Sequence, residues 1–157
     1  MDQVQKVITI ILLVLLLVSC QKQRFEDYNE KSFQDFVDKI LMAADNQIRP
    51  AAMIDLRASG DEEDPTSDTY INGHIEYFIN YDYNSLGKDN FLKIINYRYP
   101  KNTHIFLIDG DGSISNLVSN ILKEQGYQYI YYYTDGYQSL IERAKDQLPI
   151  ATGNCDC

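Results

Sequence analysis

The chain has 157 residues, 23 of them acidic and 14 basic, for a formal net charge of −9. An acidic balance of this size argues against nucleic-acid binding and against polybasic attachment to anionic lipid, because either needs clustered cations. The length suits one domain built on a single core.

At the amino terminus Lys6 precedes an apolar run over residues 7–18, which closes in Leu17-Val18-Ser19-Cys20 and is followed by the polar stretch 21–24. The run falls short of the ~20 residues a spanning helix needs and has the form of the h-region of an export signal. Leu17-Val18-Ser19-Cys20 resembles a bacterial lipobox, whose cysteine is diacylated and becomes the new amino terminus. The resemblance implies a signal peptide at 1–19, a tether at 20–30 anchored in the membrane by lipid at Cys20, and a lipoprotein of the cell envelope facing outside the cytoplasm. Loss of residues 1–19 removes Asp2 and Lys6 together and leaves the charge at −9. Membrane association is therefore expected to come from the lipid.

Beyond the tether, Phe33, Phe36, Val37, Ile40 and Leu41 recur at the spacing of an amphipathic helix over 32–44, and Ser32 with Asp35 suggests its cap. Pro50 closes the connection, and 51–56 reads as a buried strand. The acidic stretch 58–68 reads as a solvated loop, since consecutive like charges repel and stay hydrated. A short strand at 78–81 and a helix at 90–97, with Phe91, Leu92 and Ile95 on one side, lead to Pro100. Residues 105–108 form the unbroken apolar run of a buried parallel strand. A helix period resumes at Ile114, Leu117, Val118, Ile121 and Leu122, and Gly126 stands where a helix C-cap glycine belongs. Residues 129–133 are β-prone, with tyrosines expected to fill core while their hydroxyls reach partners or water. Leu140 and Ile141 fall in a last short helix. The alternation predicts an α/β domain over 31–146, with a parallel sheet of four to five strands and helices on both faces, followed by a tail at 147–157.

The segment Asp109-Gly110-Asp111-Gly112-Ser113-Ile114-Ser115 joins the carboxyl end of the 105–108 strand to a helix amino terminus. In open α/β sheets ligands bind at such a junction, where backbone N–H groups and the helix dipole converge on an anion. Here two carboxylates already occupy it.

Several motifs in order resemble the rhodanese-like family. Ile54-Asp55-Leu56-Arg57 is similar to its strand ending in Asp-Val-Arg, and Gly73-His74-Ile75 with Phe78-Ile79-Asn80 to its Gly-His-Ile and Ala-Ile-Asn stretch. Gly126-Tyr127 through Tyr133, then Asp135-Gly136-Tyr137, resembles its closing segment. The resemblance implies a three-layer α/β/α fold and a site at the 109–115 loop, which in the family begins with a nucleophilic cysteine that carries a persulfide. Carried over, the nucleophile falls on Asp109 and the loop's usual arginine on Ile114, while its serine is kept at Ser115. Asp55, Arg57, Gly73 and His74 take the family's structural positions. Arg57 is expected to pair with an acid of the following loop such as Asp68, Asp55 to be satisfied by backbone donors, and His74 to fix its turn by side-chain hydrogen bonds.

A carboxylate cannot form a persulfide, and two negative charges oppose thiosulfate or phosphate more strongly than a helix terminus attracts it. The expectation is a degenerate, catalytically inactive domain without cofactor or metal, serving as a binding or scaffolding module for an unspecified envelope protein. Mutual repulsion of Asp109 and Asp111 would make Asp111→Asn neutral or stabilising. Two alternatives stay open. The Asp109-Gly110-Asp111-Gly112-Ser113-Ile114 run also looks like the first motif of haloacid-dehalogenase-type phosphatases, in which Asp109 would be nucleophile and Asp111 acid/base around Mg²⁺, with Asp55 and Asp135 completing a cation site. Too few residues follow for that architecture. The terminal Cys155-Asp156-Cys157 could form a strained, labile redox disulfide, or be a frayed end with incidental thiols.

Overall fold

The computed structural model describes residues 24–29, 31–60 and 67–153. The export signal, Cys20, the acidic run 61–64 and the Cys155/Cys157 pair lie outside them. The elements are β1 (Arg24–Tyr28), α1 (Phe33–Ala44), β2 (Ala51–Asp55), β3 (His74–Ile75), β4 (Ile79–Asn80), α2 (Tyr83–Arg98), β5 (His104–Ile108), α3 (Ser113–Glu124), β6 (Tyr129–Tyr133), α4 (Gly136–Ala144) and β7 (Ile150–Ala151). No helix among the described residues is long and apolar enough to cross a membrane.

Five strands form one parallel sheet in the order β1-β6-β5-β2-β4, and β3 pairs antiparallel with β7. Parallel neighbours need long crossovers, so helices cover both faces and the inner strands are apolar throughout. Successive residues of a strand point to opposite faces, and central β5 divides its side chains accordingly. Phe106 and Ile108 pack with Phe36, Val37 and Ile40 of α1 and Tyr137 and Leu140 of α4. Ile105 and Leu107 pack with Phe91 and Ile95 of α2 and Val118, Ile121 and Leu122 of α3. This is the expected three-layer α/β/α arrangement.

The structure corrects several boundaries. Residues 24–28, expected in the tether, are an edge strand in register with β6 from Arg24–Tyr129 to Tyr28–Tyr133. Thr134 secures its end, donating from N and Oγ1 to the Tyr28 carbonyl at 2.7 and 3.0 Å. In the expected tail, Ile150 pairs with Ile75. The cap predicted at Ser32 is not made, because its backbone (φ −115°, ψ 15°) is not the extended conformation a capping oxygen needs. Ser32 Oγ accepts instead from Asn29 N–H at 3.0 Å. Helix α2 begins earlier than expected, at Tyr83, where the Asp82 carboxylate accepts from Ser85 N and Oγ at 3.0 and 2.7 Å. Gly87, at φ 69° and ψ 164°, kinks it.

Candidate functional site

Strand β5 ends at Ile108 and α3 begins at Ser113, so residues 109–112 turn over the carboxyl edge of the sheet. Gly112 makes the turn in the left-handed region at φ 85°, and a Cβ there would overlap the Thr134 carbonyl. Gly136, at φ 78°, is pressed in the same way against the Gly110 carbonyl. Only glycine allows both the dihedral and the approach. Tyr137 N–H donates to the Asp109 carbonyl at 2.8 Å. The loop is thereby clamped to the start of α4.

Asp109, at the nucleophile position, is 1% exposed. Its Oδ1 accepts from Ser115 Oγ at 2.6 Å and its Oδ2 from Ile114 N–H at 2.9 Å. Burial pushes its carboxyl pKa up, with these hydrogen bonds pulling against the rise and the charge of Asp111 adding least. Asp111 is exposed. Its Oδ1 accepts from Ser113 N–H at 3.0 Å and Ser113 Oγ at 2.6 Å, which holds its pKa below the usual carboxylate value. The charge of Asp111 is thus the least of the influences on Asp109, and Asp111 itself is held by Ser113.

Behind the loop, β2 delivers Asp55 and Arg57, both buried. The guanidinium donates to the Asp55 carboxylate through Nη2 at 2.7 Å and through Nε at 3.1 Å to each oxygen. Nη1 reaches Asp68 Oδ1 at 2.7 Å, the pairing expected from sequence. Nη2 also donates to the Gly73 carbonyl at 2.7 Å, and the guanidinium carbon lies 3.5 Å from the centre of the Tyr137 ring. The backbone donors expected for Asp55 reduce to one, Arg57 N–H at 3.0 Å; the guanidinium supplies the rest. His74 holds its turn as expected, with Nδ1 3.0 Å from the Tyr70 carbonyl and its ring stacked on Tyr70 at 3.8 Å.

Among the described residues no group of three or more His, Cys, Asp or Glu side chains is gathered to hold a metal ion. The acids proposed for a cation site are held apart in their roles: Asp55 is bound to Arg57, and Asp135 accepts from Thr134 Oγ1 at 3.1 Å. Gln138, which donates to Asp68 Oδ1 at 3.0 Å, was not foreseen; a glutamine on a short helix carries no sequence signal.

A parallel sheet with this loop at its carboxyl edge, backed by an Asp-x-Arg strand end and a Gly-His-Ile turn, defines a rhodanese-like arrangement. A family model described as the rhodanese-like domain matches residues 34–143, and the chain belongs to that family. Among solved structures, the crystal structure of the Alr3790 protein from Anabaena sp. is similar at 14% identity and a TM-score of 0.55, over 74% of this chain and 79% of that one. A thiosulfate sulfurtransferase from Pseudomonas aeruginosa is similar at 18% identity and a TM-score of 0.53, over 82% of this chain but 20% of its own. SseA from Escherichia coli, described as a 3-mercaptopyruvate sulfotransferase, is similar at 20% identity and a TM-score of 0.51, over 75% of this chain and 49% of its own. Likeness at these identities is a likeness of fold. No curated protein matches.

Proposed function

We propose that the protein is a catalytically inactive rhodanese-like domain, anchored by lipid at Cys20 in the bacterial cell envelope, where it serves as a binding or scaffolding module for an envelope protein. The observation that carries this reading is Asp109. The residue at the family's nucleophile position has no sulfur to accept a sulfane, and its two oxygens take the Ile114 N–H and the Ser115 hydroxyl, donors that would otherwise face an anion. The loop thus holds the chain's own charge where a substrate anion would sit. Asp111 adds a second negative charge, and Ile114 stands where the family's arginine would supply a positive one.

The test is thiocyanate formation from thiosulfate and cyanide by the full chain, which should stay at the uncatalysed rate. Turnover that persists after Cys155→Ser/Cys157→Ser overturns the reading. Lipid anchoring is checked separately by metabolic labelling with a fatty acid, expected on the wild-type chain and absent from Cys20→Ser. An unlabelled wild-type chain would remove the anchor.

A further inference from the structure

Strands β1, β6, β5 and β2 start level with one another, with Arg24, Tyr129, His104 and Ala51 in one register row across the sheet. The segments that enter these strands are bonded to each other. Arg24 N–H donates to the Gln128 carbonyl at 2.7 Å, Gln128 N–H to the Lys101 carbonyl at 3.0 Å and His104 N–H to the Pro50 carbonyl at 2.8 Å. Helices α1, α2 and α3 each connect two parallel strands, so they run back and end at this same edge. A continuous rim results, on the opposite edge of the sheet from the Asp109 loop.

The chain is acidic as a whole, but its two edges differ. Arg24, Arg49, Arg98, Lys101 and Lys123 are exposed on the rim, against Asp45 and Glu124. The other edge carries Asp68, Asp82, Asp109, Asp111 and Asp135 against Lys31 and Arg57, and Arg57 is paired with Asp55 and Asp68. Arg24 pairs with Glu26 at 3.3 Å. Among the described residues no carboxylate lies within ion-pairing distance of Arg49, Arg98, Lys101 or Lys123. Lys101 and Lys123 rest on the rings of Tyr127 and Phe25 at 3.9 and 4.8 Å, contacts that leave their charge uncompensated. Arg98 and Lys123 also suit the helix dipoles of the last turns they occupy. Arg24, Arg49 and Lys101 lie outside helices and have no such use. Next to Arg98, Tyr97 is 91% exposed.

Cys20 stands four positions before Arg24, a separation that even a fully extended chain covers in about 14 Å. A lipid at Cys20 would therefore hold the rim near the headgroups. The opposite edge lies a strand length further out, about 17 Å for the five residues of β1. Attraction to anionic headgroups decays over about 8 Å in physiological salt, so of the two edges only the rim is close enough to feel it. We infer that the rim rests on the bilayer, with Arg49, Lys101 and Lys123 against anionic phospholipid headgroups, and that the Asp109 loop and the Arg57–Asp68 pair face away from the membrane. This rests on the lipid anchor proposed above. The rim does not recruit the chain, because a net charge of −9 opposes attachment by charge alone; it orients a chain already tethered. The exposed ring of Tyr97, apolar in body and polar at its tip, suits the headgroup layer.

The experiment attaches a bimane fluorophore to the acylated full chain through Asn102→Cys on the rim or Lys31→Cys on the opposite edge, both exposed, with Cys155→Ser and Cys157→Ser. Each chain is reconstituted in vesicles of phosphatidylcholine and phosphatidylglycerol that carry a headgroup nitroxide, and quenching is measured. Quenching at Asn102 should exceed that at Lys31 several-fold. Arg49→Gln/Lys101→Gln/Lys123→Gln should lose most of that difference, as should the unsubstituted rim in phosphatidylcholine alone. Should the triple variant fail to fold, the two vesicle compositions decide. Equal quenching at the two positions of an acylated chain, or a difference that survives both the triple variant and the loss of phosphatidylglycerol, would overturn the inference and leave the anchor standing. A chain that takes up no fatty acid overturns the anchor and this inference with it.

Discussion

The loop at Asp109 and the Arg57–Asp68 pair adjoin one another, a Cβ at Gly110 standing 3.9 Å from Asp68 Oδ2, yet their carboxylates are held in different ways. Asp109 is buried with both oxygens hydrogen-bonded inside its own loop. Asp68 is partly exposed, with its Oδ1 shared by Arg57 and Gln138. In a rhodanese-like fold the loop is the expected place for chemistry, but here it is internally satisfied. A fold places a site, and the local balance of donors and acceptors decides whether it remains available.

Arg57 joins the two regions and its removal should have the largest effect. Arg57→Met leaves Asp55 as an uncompensated buried charge and is expected to cost about 3–5 kcal/mol in urea unfolding, part of which Asp55→Asn should restore. A loss below 1 kcal/mol would mean that Asp55 is paired elsewhere.

Ser115→Ala comes next and probes the closed loop. It removes a hydrogen bond to a buried carboxylate, worth about 1.5–3 kcal/mol at neutral pH. The sign with pH follows from the raised pKa of Asp109. An acid whose folded pKa lies above its unfolded value costs stability when ionised, and that cost fades as the pH falls through the folded pKa and is gone below the ordinary value of 3.8. The Ser115→Ala penalty should therefore shrink on acidification, and unfolding curves showing a penalty independent of pH would contradict the buried, ionised Asp109.

The smallest effect is expected at Asp111, whose contact with Ser113 is exposed and screened. Asp111→Ala should cost a few tenths of a kcal/mol. Its pH dependence is opposite in sign: a lowered folded pKa gives stability above the unfolded value that is lost as the pH falls through the folded one. The Ser115→Ala midpoint should therefore approach wild type first, as the pH falls toward 3.8, and the Asp111→Ala midpoint only at lower pH. A midpoint for Asp111→Ala above wild type at neutral pH would restore the repulsion that the sequence alone suggested.

Where one short-range pattern dominated, the sequence was enough. The 105–108 run, the helix period through Ile114 to Leu122 and the Asp-x-Arg and Gly-His-Ile motifs placed the central strand, the loop and the Arg57–Asp68 pair correctly. Elements defined by their neighbours were not legible. Strand β1 reads Arg-Phe-Glu-Asp-Tyr, too polar to announce itself, because it is an edge strand whose burial runs from exposed Arg24 to buried Tyr28. The first turns of α2 depend on the Asp82 cap and tolerate Gly87, so propensity hid them.

The sequence by itself determined the α/β class, the position of the 109–115 loop and the absence from that loop of a cysteine, since each is written in residue order and hydrophobic period. Only the tertiary structure decided which groups hold each carboxylate. Ser115 lies six positions after Asp109 and Gln138 seventy after Asp68, and contacts at such separations depend on how strands, turns and helices pack. The same packing sets Arg57 over the Tyr137 ring.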